Sequence, residues 1–531
     1  MNRSSGILLS ISSLPSPCGI GTLGKAAYEF ADFLHAAGQK YWQMLPLGPT
    51  SYGDSPYQSF SSFAGNPYFI DLDMLVEDHL LNPSDLLEWD FGSDPRHVDY
   101  GKIYESRFSL LAKAKEAGWE RDQEEVQQFI QENAWLSDYT LYMACKRHFQ
   151  MQAWTEWKDQ DLRFHKPEAL KHYRTELKDD VELFTYIQFL FYQQWNALRA
   201  YLNKLGIRTI GDVPIYVPLD SADVWSEPEF FQLDENYIPK KVAGVPPDYF
   251  SEDGQLWGNP LYDWENMQAD GYGWWIRRIG GAVRLFDVIR IDHFRGFSEY
   301  WAVPYGETTA RNGSWVKGPG MNLVSALAGW FRENEFIAED LGAASEGLRQ
   351  LLSDSGWPGM KVLEFAFDSK EESDFLPHTY TKNCICYAGT HDNATLLEWL
   401  EDADPEDAAF ARDYLGLSPY DKKTVSKKSS ANDKKPSAND SDFLWAVLRA
   451  GQASVAKLFV AQIQDYLELG KGHRMNTPST MGNWSWRLLP GELTSELADK
   501  ILHLTRLYGR TDPEMLKKPA PDKKITKKSR D

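Results

Sequence analysis

The sequence predicts an α/β fold: a (β/α)8 TIM barrel with large helical and loop insertions at its C-terminal rim. Two observations predict it. Short, continuously apolar runs alternate with helical stretches, and four of those runs end in an acidic residue. Strands covered by helices on both faces read as unbroken apolar segments, the mark of a parallel sheet. A barrel enzyme gathers its functional groups at the C-terminal ends of such strands.

The first two runs lie at residues 6–11 and 41–45, and the third at 208–212. The long gap before the third holds helical periodicity at 124–150 and 181–205. A helical subdomain of about residues 73–200 is therefore expected inside a barrel loop. Residues 218–264, rich in Pro, Gly, Trp and Tyr, are expected to form an inserted loop subdomain. Further runs follow at 285–292, 335–340, 362–367 and 384–388. The eighth, at 458–466, reads equally well as the end of a helix. All of this makes one catalytic domain, residues 1–510. Residues 421–442 and the basic tail 511–531 are too polar to bury a core and are expected to be disordered.

Of 531 residues, 42% are hydrophobic and 25% charged, the balance of a soluble globular protein. The net charge of -21 opposes a nucleic-acid or anionic-membrane partner, while a neutral sugar is indifferent to it. The apolar run near the N-terminus is too short for a signal peptide, and no stretch reaches the roughly 20 apolar residues of a membrane span. Cys18, Cys145, Cys384 and Cys386 do not make a disulfide scaffold. Cys384 and Cys386 read as buried thiols of a strand, with no second pair to complete a metal site. A cytoplasmic protein without metal or cofactor is expected.

The four strand-end acids are Asp212, Asp292, Glu339 and Asp392. One such residue is commonly a helix cap; four facing one cavity repel each other and point to function. Glycoside cleavage needs two carboxyl groups, one ionised and one protonated. In Arg290-Ile291-Asp292 the polar side chains share a strand face, so Arg290 is expected to hold Asp292 ionised and to lower its pKa. Glu339 follows Phe336-Ile337-Ala338, an apolar setting that raises a carboxyl pKa as a general acid requires. Asp340 should point the other way, as a structural residue capping the next helix. His391, beside Asp392, and His293, beside Asp292, read either as structural residues or as ligands of sugar hydroxyls. A metal-dependent barrel would call for an early His-x-His pair, and the first histidine, His35, stands alone. Aromatic residues make up 14% of the chain. Tyr57, Tyr249, Phe250 and Trp257 lie in Gly- and Pro-containing segments suited to packing on sugar rings.

Over about residues 5–487 the chain resembles the 4-α-glucanotransferases, or amylomaltases, of the α-amylase superfamily. The resemblance rests on Ser51-Tyr52-Gly53-Asp54-Ser55-Pro56-Tyr57-Gln58, Gly211-Asp212-Val213-Pro214, Gly244-Val245-Pro246-Pro247-Asp248-Tyr249-Phe250 and Arg290-Ile291-Asp292-His293-Phe294-Arg295-Gly296. It continues through Ala338-Glu339-Asp340-Leu341-Gly342, Gly389-Thr390-His391-Asp392-Asn393 and Arg474-Met475-Asn476-Thr477-Pro478. It implies a nucleophile at Asp292, an acid/base at Glu339 and a transition-state stabiliser at Asp392. It also implies an α-1,4-glucan donor and a glucan or glucose acceptor. Tyr52 and Tyr100 are similar to positions that form a second glucan groove in some members. A hydrolase, and an inactive glucan-binding protein, remain the alternative readings.

Overall fold

The structure is a computed structural model and describes residues 3–247, 251–342, 345–418 and 436–511. Its strands, in chain order, are β1 (Ser4–Leu8), β2 (Tyr41–Gln43), β3 (Arg208–Val213), β4 (Lys241–Val245), β5 (Gln255–Pro260) and β6 (Val288–Ile291). They continue with β7 (Glu299–Pro304), β8 (Ser314–Lys317), β9 (Glu335–Ala338), β10 (Gly359–Val362), β11 (Cys384–Tyr387) and β12 (Leu458–Gln462). Eight form one sheet in the order β10-β11-β12-β1-β2-β3-β6-β9, and every pairing in it is parallel.

The two edges of that sheet meet. Ala338 donates its N–H to the Pro358 carbonyl (3.0 Å), and Asp340 accepts from the Met360 N–H (2.7 Å). A Cβ on Gly359 would fall 2.6 Å from an Asp340 carboxylate oxygen, so the closure needs glycine there. Asp340 is thus structural, as expected, but it seals the barrel and does not cap the next helix. That cap is Ser345, which accepts from the Leu348 N–H.

Strand alternation fills the barrel. Leu8, Ile210, Val288, Ile337, Met360, Val362, Ile385, Tyr387, Leu458 and Val460 form an interior cluster, each at most 2% exposed. The intervening residues, such as Ile7, Ile289, Phe336 and Phe459, join the larger outer core instead. Above the apolar interior, the same face of each strand turns polar: Gln43, Asp212 and Arg290 follow Tyr41, Ile210 and Val288 two residues on.

Three element boundaries differ from expectation. The run at 362–367 is a strand only to Val362, where its register partner Tyr387 also ends β11; Leu363–Phe365 is a 3-10 turn. The run at 458–466 splits into β12 and a short helix, Ile463–Tyr466. Residues 436–442, expected to be disordered, enter the helix Ala438–Ala453, whose first turn is capped by Ser437. The rest of the lysine-rich stretch up to 435, and the tail from 512, lie outside the described residues.

The helical insertion includes Tyr100–Gly118, Gln123–Glu132, Leu136–His148, Pro167–Glu176 and the 27-residue helix Lys178–Lys204 that leads into β3. On that last helix, buried Gln188 pairs with both backbone groups of Gly65, and Gln194 with those of Asp71. These bonds fasten the segment that follows Tyr57. The 218–264 insertion is not loop alone. Its β4 and β5 join β7 and β8 in an antiparallel sheet, order β5-β4-β7-β8, with its own small core of Val242, Val303 and Ala310. No helix among the described residues is long and apolar enough to cross a membrane.

Candidate active site

Asp292 and Glu339 stand side by side because their strands do. Ile291 on β6 is in register with Ala338 on β9, so the next residue of each strand faces the interior at the rim. Asp292 is anchored by its N–H to the Val213 carbonyl (3.0 Å). Glu339 Oε2 accepts from the His293 N–H (2.8 Å) and Oε1 from the Leu341 N–H (2.7 Å), which fixes the carboxyl between the two strand ends. His293 holds a positive φ of 49°, an arrangement that costs a non-glycine residue energy and presents its N–H to Glu339.

Arg290 organises the centre. It is 3% exposed, and its Nη1 reaches both Asp212 oxygens (2.6 Å each) and Asp292 Oδ1 (2.9 Å). Tyr57 donates to Asp212 Oδ2 (2.8 Å), and its Oη lies 2.8 Å from His391 Nε2, the two rings stacked at 5.1 Å. With the tyrosine proton on Asp212, His391 supplies the proton of that second bond. The same Nε2 stands 3.3 Å from Asp392 Oδ2. One network thus ties Asp292, Arg290, Asp212, Tyr57, His391 and Asp392 together.

Burial and charge divide the carboxyls. Burial pushes Glu339 up to about 7, with Arg290 opposing and the charge of Asp292 adding to the rise. Burial also raises Asp292, to about 6, against the pull of Arg290. The expectation that Arg290 would leave Asp292 with a lowered pKa is therefore corrected: the guanidinium lowers it, but loss of hydration is the larger effect. Although the Asp392 side chain is 48% exposed, its partial loss of hydration in the cleft acts upward; the nearby His391 and then the amide of Asn476 outweigh it, and Asp392 is held below the usual carboxylate range. His391 is correspondingly raised, Asp392 overcoming its burial. His293 is pushed down to about 4 by burial and is neutral at working pH.

Three contributors carried no assignment from the sequence. Asn476 donates to Asp392 Oδ1 (2.6 Å), and Arg474 donates to the Asp392 carbonyl (2.8 Å). Trp484 tilts against Tyr57 (5.8 Å) and His391 (6.0 Å). The motif around Arg474 was visible, but nothing in a lone Asn or Trp tells which carboxylate or ring it will meet. Trp257, on β5, meets His293 edge to face at 4.9 Å. Tyr100 is not part of this cluster. It donates to the Trp484 carbonyl (2.8 Å) and lines a separate cavity of about 500 Å³ with Gly53, Asp54, Asp99 and Asn483. Tyr249, Phe250 and the side chain of Tyr52 lie outside the described residues.

Such a rim can hold one carboxylate ionised and one carboxyl protonated on either side of a bond, which is the requirement of glycoside chemistry. Comparison with known proteins agrees. A sequence model of the family described as 4-alpha-glucanotransferase matches residues 9–493. The 4-alpha-glucanotransferase of Clostridium butyricum is 46% identical over 508 residues, covering 95% of this chain and 100% of that protein. The enzyme of the same name from Streptococcus pneumoniae TIGR4 is 46% identical, covering 97% and 99%. Among solved structures, an amylomaltase from Streptococcus agalactiae in complex with acarbose superposes with a TM-score of 0.90 at 41% identity, covering 96% of this chain and all of the other. The chain belongs to the 4-alpha-glucanotransferase family.

Proposed function

We propose that this chain carries out its 4-α-glucanotransferase reaction by retaining double displacement, with Asp292 as nucleophile and Glu339 as acid/base. The observation that carries the reading is the pairing of Asp292 and Glu339 on neighbouring parallel strand ends. Such strands are spaced by about 4.8 Å. Glu339 Oε2 also accepts from the N–H of His293 (2.8 Å), the residue next to Asp292, which keeps its carboxyl beside Asp292, the close arrangement that a retaining mechanism requires.

Asp292 attacks the anomeric carbon of an α-1,4-glucan while Glu339 protonates the departing oxygen. The bond to the leaving glucan breaks, and a covalent β-glycosyl-enzyme forms. Esterification removes the negative charge of Asp292, one of the effects that raises Glu339. Glu339 then becomes a stronger acid and leaves its carboxylate free to act as base. It takes the proton of the 4-hydroxyl of glucose or another glucan, whose oxygen displaces Asp292 and restores the α-linkage. Asp392, ionised at working pH, stabilises the positive charge of the oxocarbenium-like transition state. Tyr57 meets the sugar ring, buried Arg290, Asp212 and His391 hold Tyr57, Asp292 and Asp392 in place, and His293 and Trp257 wall the acceptor path. Tyr100, which lines the separate cavity, contributes a second, peripheral glucan contact. A cytoplasmic place of action fits four buried cysteines that are all free thiols.

Incubation with maltotriose tests the reading. Transfer gives glucose together with longer maltooligosaccharides at constant reducing ends. A steady rise in reducing ends means that water is the acceptor and overturns transfer as the main path.

A further inference from the structure

Beneath the loop that carries His391 and Asp392 lies a layer of buried polar side chains that takes no part in the chemistry above. Glu364 sits in the turn after β10, Gln462 ends β12, and Asp465 lies in the helix Ile463–Tyr466; they are 8%, 0% and 0% exposed. Gln462 Nε2 donates to the Ala394 carbonyl (3.0 Å), and Asp465 Oδ1 accepts from the Leu396 N–H (2.8 Å). The Glu364 carboxyl faces the Ala394 N–H. A Cβ on Gly389 would fall 2.4 Å from Glu364 Oε1 and 3.0 Å from Gln462 Nε2, so the loop rests directly on these groups. Residues 388–395 form neither helix nor strand. Such a segment takes its position from what it is bonded to.

We propose that Glu364, Gln462 and Asp465 are positioning residues, which hold the backbone at 394–396 from below and thereby set where His391 and Asp392 stand against Asp292. This inference rests on the assignment of Asp392 to the reaction. Glu364 Oε1 and Asp465 Oδ2 are buried, and neither has a hydrogen-bond donor among the described residues. A bare ionised oxygen there is costly, whereas a carboxylic acid places a proton on it. Burial, with Asp465 adding, holds Glu364 well above the usual carboxylate range, and burial raises Asp465 to about 7. The other charges facing Glu364 are Arg474, already bonded to the carbonyls of Asp392 and Asn476, and the acid Glu398. Glu364 therefore supports the loop as a neutral group and adds no charge near the nucleophile.

Steady-state kinetics on maltotriose, with circular dichroism to measure the folded fraction, test this in Glu364→Gln, Glu364→Ala, Gln462→Ala and Asp392→Asn. Glu364→Gln keeps shape and neutrality, and its kcat is expected within about twofold of wild type. Misplacing a reacting group by about 1 Å can cost about 100-fold. Glu364→Ala and Gln462→Ala are therefore expected to lose at least about tenfold in kcat per folded enzyme, with KM within about threefold. Wild-type kcat in the folded Ala variants overturns the proposal, as does a Gln variant as impaired as Glu364→Ala. If Glu364→Ala does not fold, Gln462→Ala decides alone. Asp392→Asn separates the two levels of the argument. Full activity there removes the catalytic assignment, while inactivity there beside a fully active Gln462→Ala removes only the supporting layer.

Discussion

Replacing Asn476 by Ala removes one amide from Asp392 and leaves every strand in place. The bond it deletes is short, 2.6 Å, and its acceptor is a carboxylate held ionised. Hydrogen bonds to charged groups contribute about 1.5–3 kcal/mol. In the empty enzyme part of that loss is recovered, because the Asp392 side chain is 48% exposed and water can replace the amide. With sugar in the cleft the replacement water is displaced, and the loss falls on the step in which Asp392 faces developing positive charge. At about 1.4 kcal/mol per tenfold, kcat should drop by about 10- to 100-fold. KM should change little, because the free enzyme and the bound ground state lose less than the transition state. Asn476→Asp places a second carboxylate at the same spot; two acids so close cannot both ionise, and this variant should be slower than Asn476→Ala at neutral pH. The assay is the initial rate of glucose release from maltotriose over a range of concentrations. A kcat within about twofold of wild type for Asn476→Ala, or a loss carried wholly by KM, refutes the reasoning.

Four further outcomes rest on the same geometry. Asp292→Asn should abolish transfer and trap no glycosyl-enzyme; near-normal glucose release removes Asp292 as nucleophile. The pH profile of kcat/KM should be bell-shaped, rising as Asp292 loses its proton near pH 6 and falling as Glu339 loses its proton near pH 7; a profile flat from about pH 5 to 9 contradicts the pairing. Tyr57→Phe removes the donor to Asp212 and the contact to His391, and should lower kcat/KM by about tenfold while the urea midpoint moves little. Arg510, 1% exposed, donates to the carbonyls of Ser4, Gly451, Gln452, Ser454 and Ala456. Arg510→Met removes all five donations from a buried site, Gln452 and Ser454 keeping Arg3 as donor and Gly451 keeping Ser454, and should cost about 3 kcal/mol of stability, read from the urea midpoint, with unchanged activity per folded molecule.

The strands and their inward faces were legible because burial on both sides writes itself into a chain as apolar runs, and alternation then orients the residues at each strand end. That logic placed Arg290, Asp292 and Glu339 inward and turned Asp340 away. Where the runs misled, at 362–367 and 458–466, hydrophobicity continued past the end of the ladder into a turn and a helix that are also buried. The 218–264 insertion misled for another reason: β4 finds its partner β7 some 60 residues on, and pairing at that range leaves no local mark.

By itself the sequence determined the barrel, the four rim acids and, through its motifs, the family. Tertiary structure alone decided the balance of forces among those acids. Whether Arg290 or burial governs Asp292 depends on how much water the closed rim excludes. The groups that set this balance around Asp292, namely Arg290, Asp212, His391 and Asp392, come from separate strand ends and meet only when the chain is folded. The same holds for Asn476 on Asp392 and for the layer under the 388–396 loop. Each is a contact between distant segments at hydrogen-bond range, set by packing in three dimensions and invisible to any local pattern.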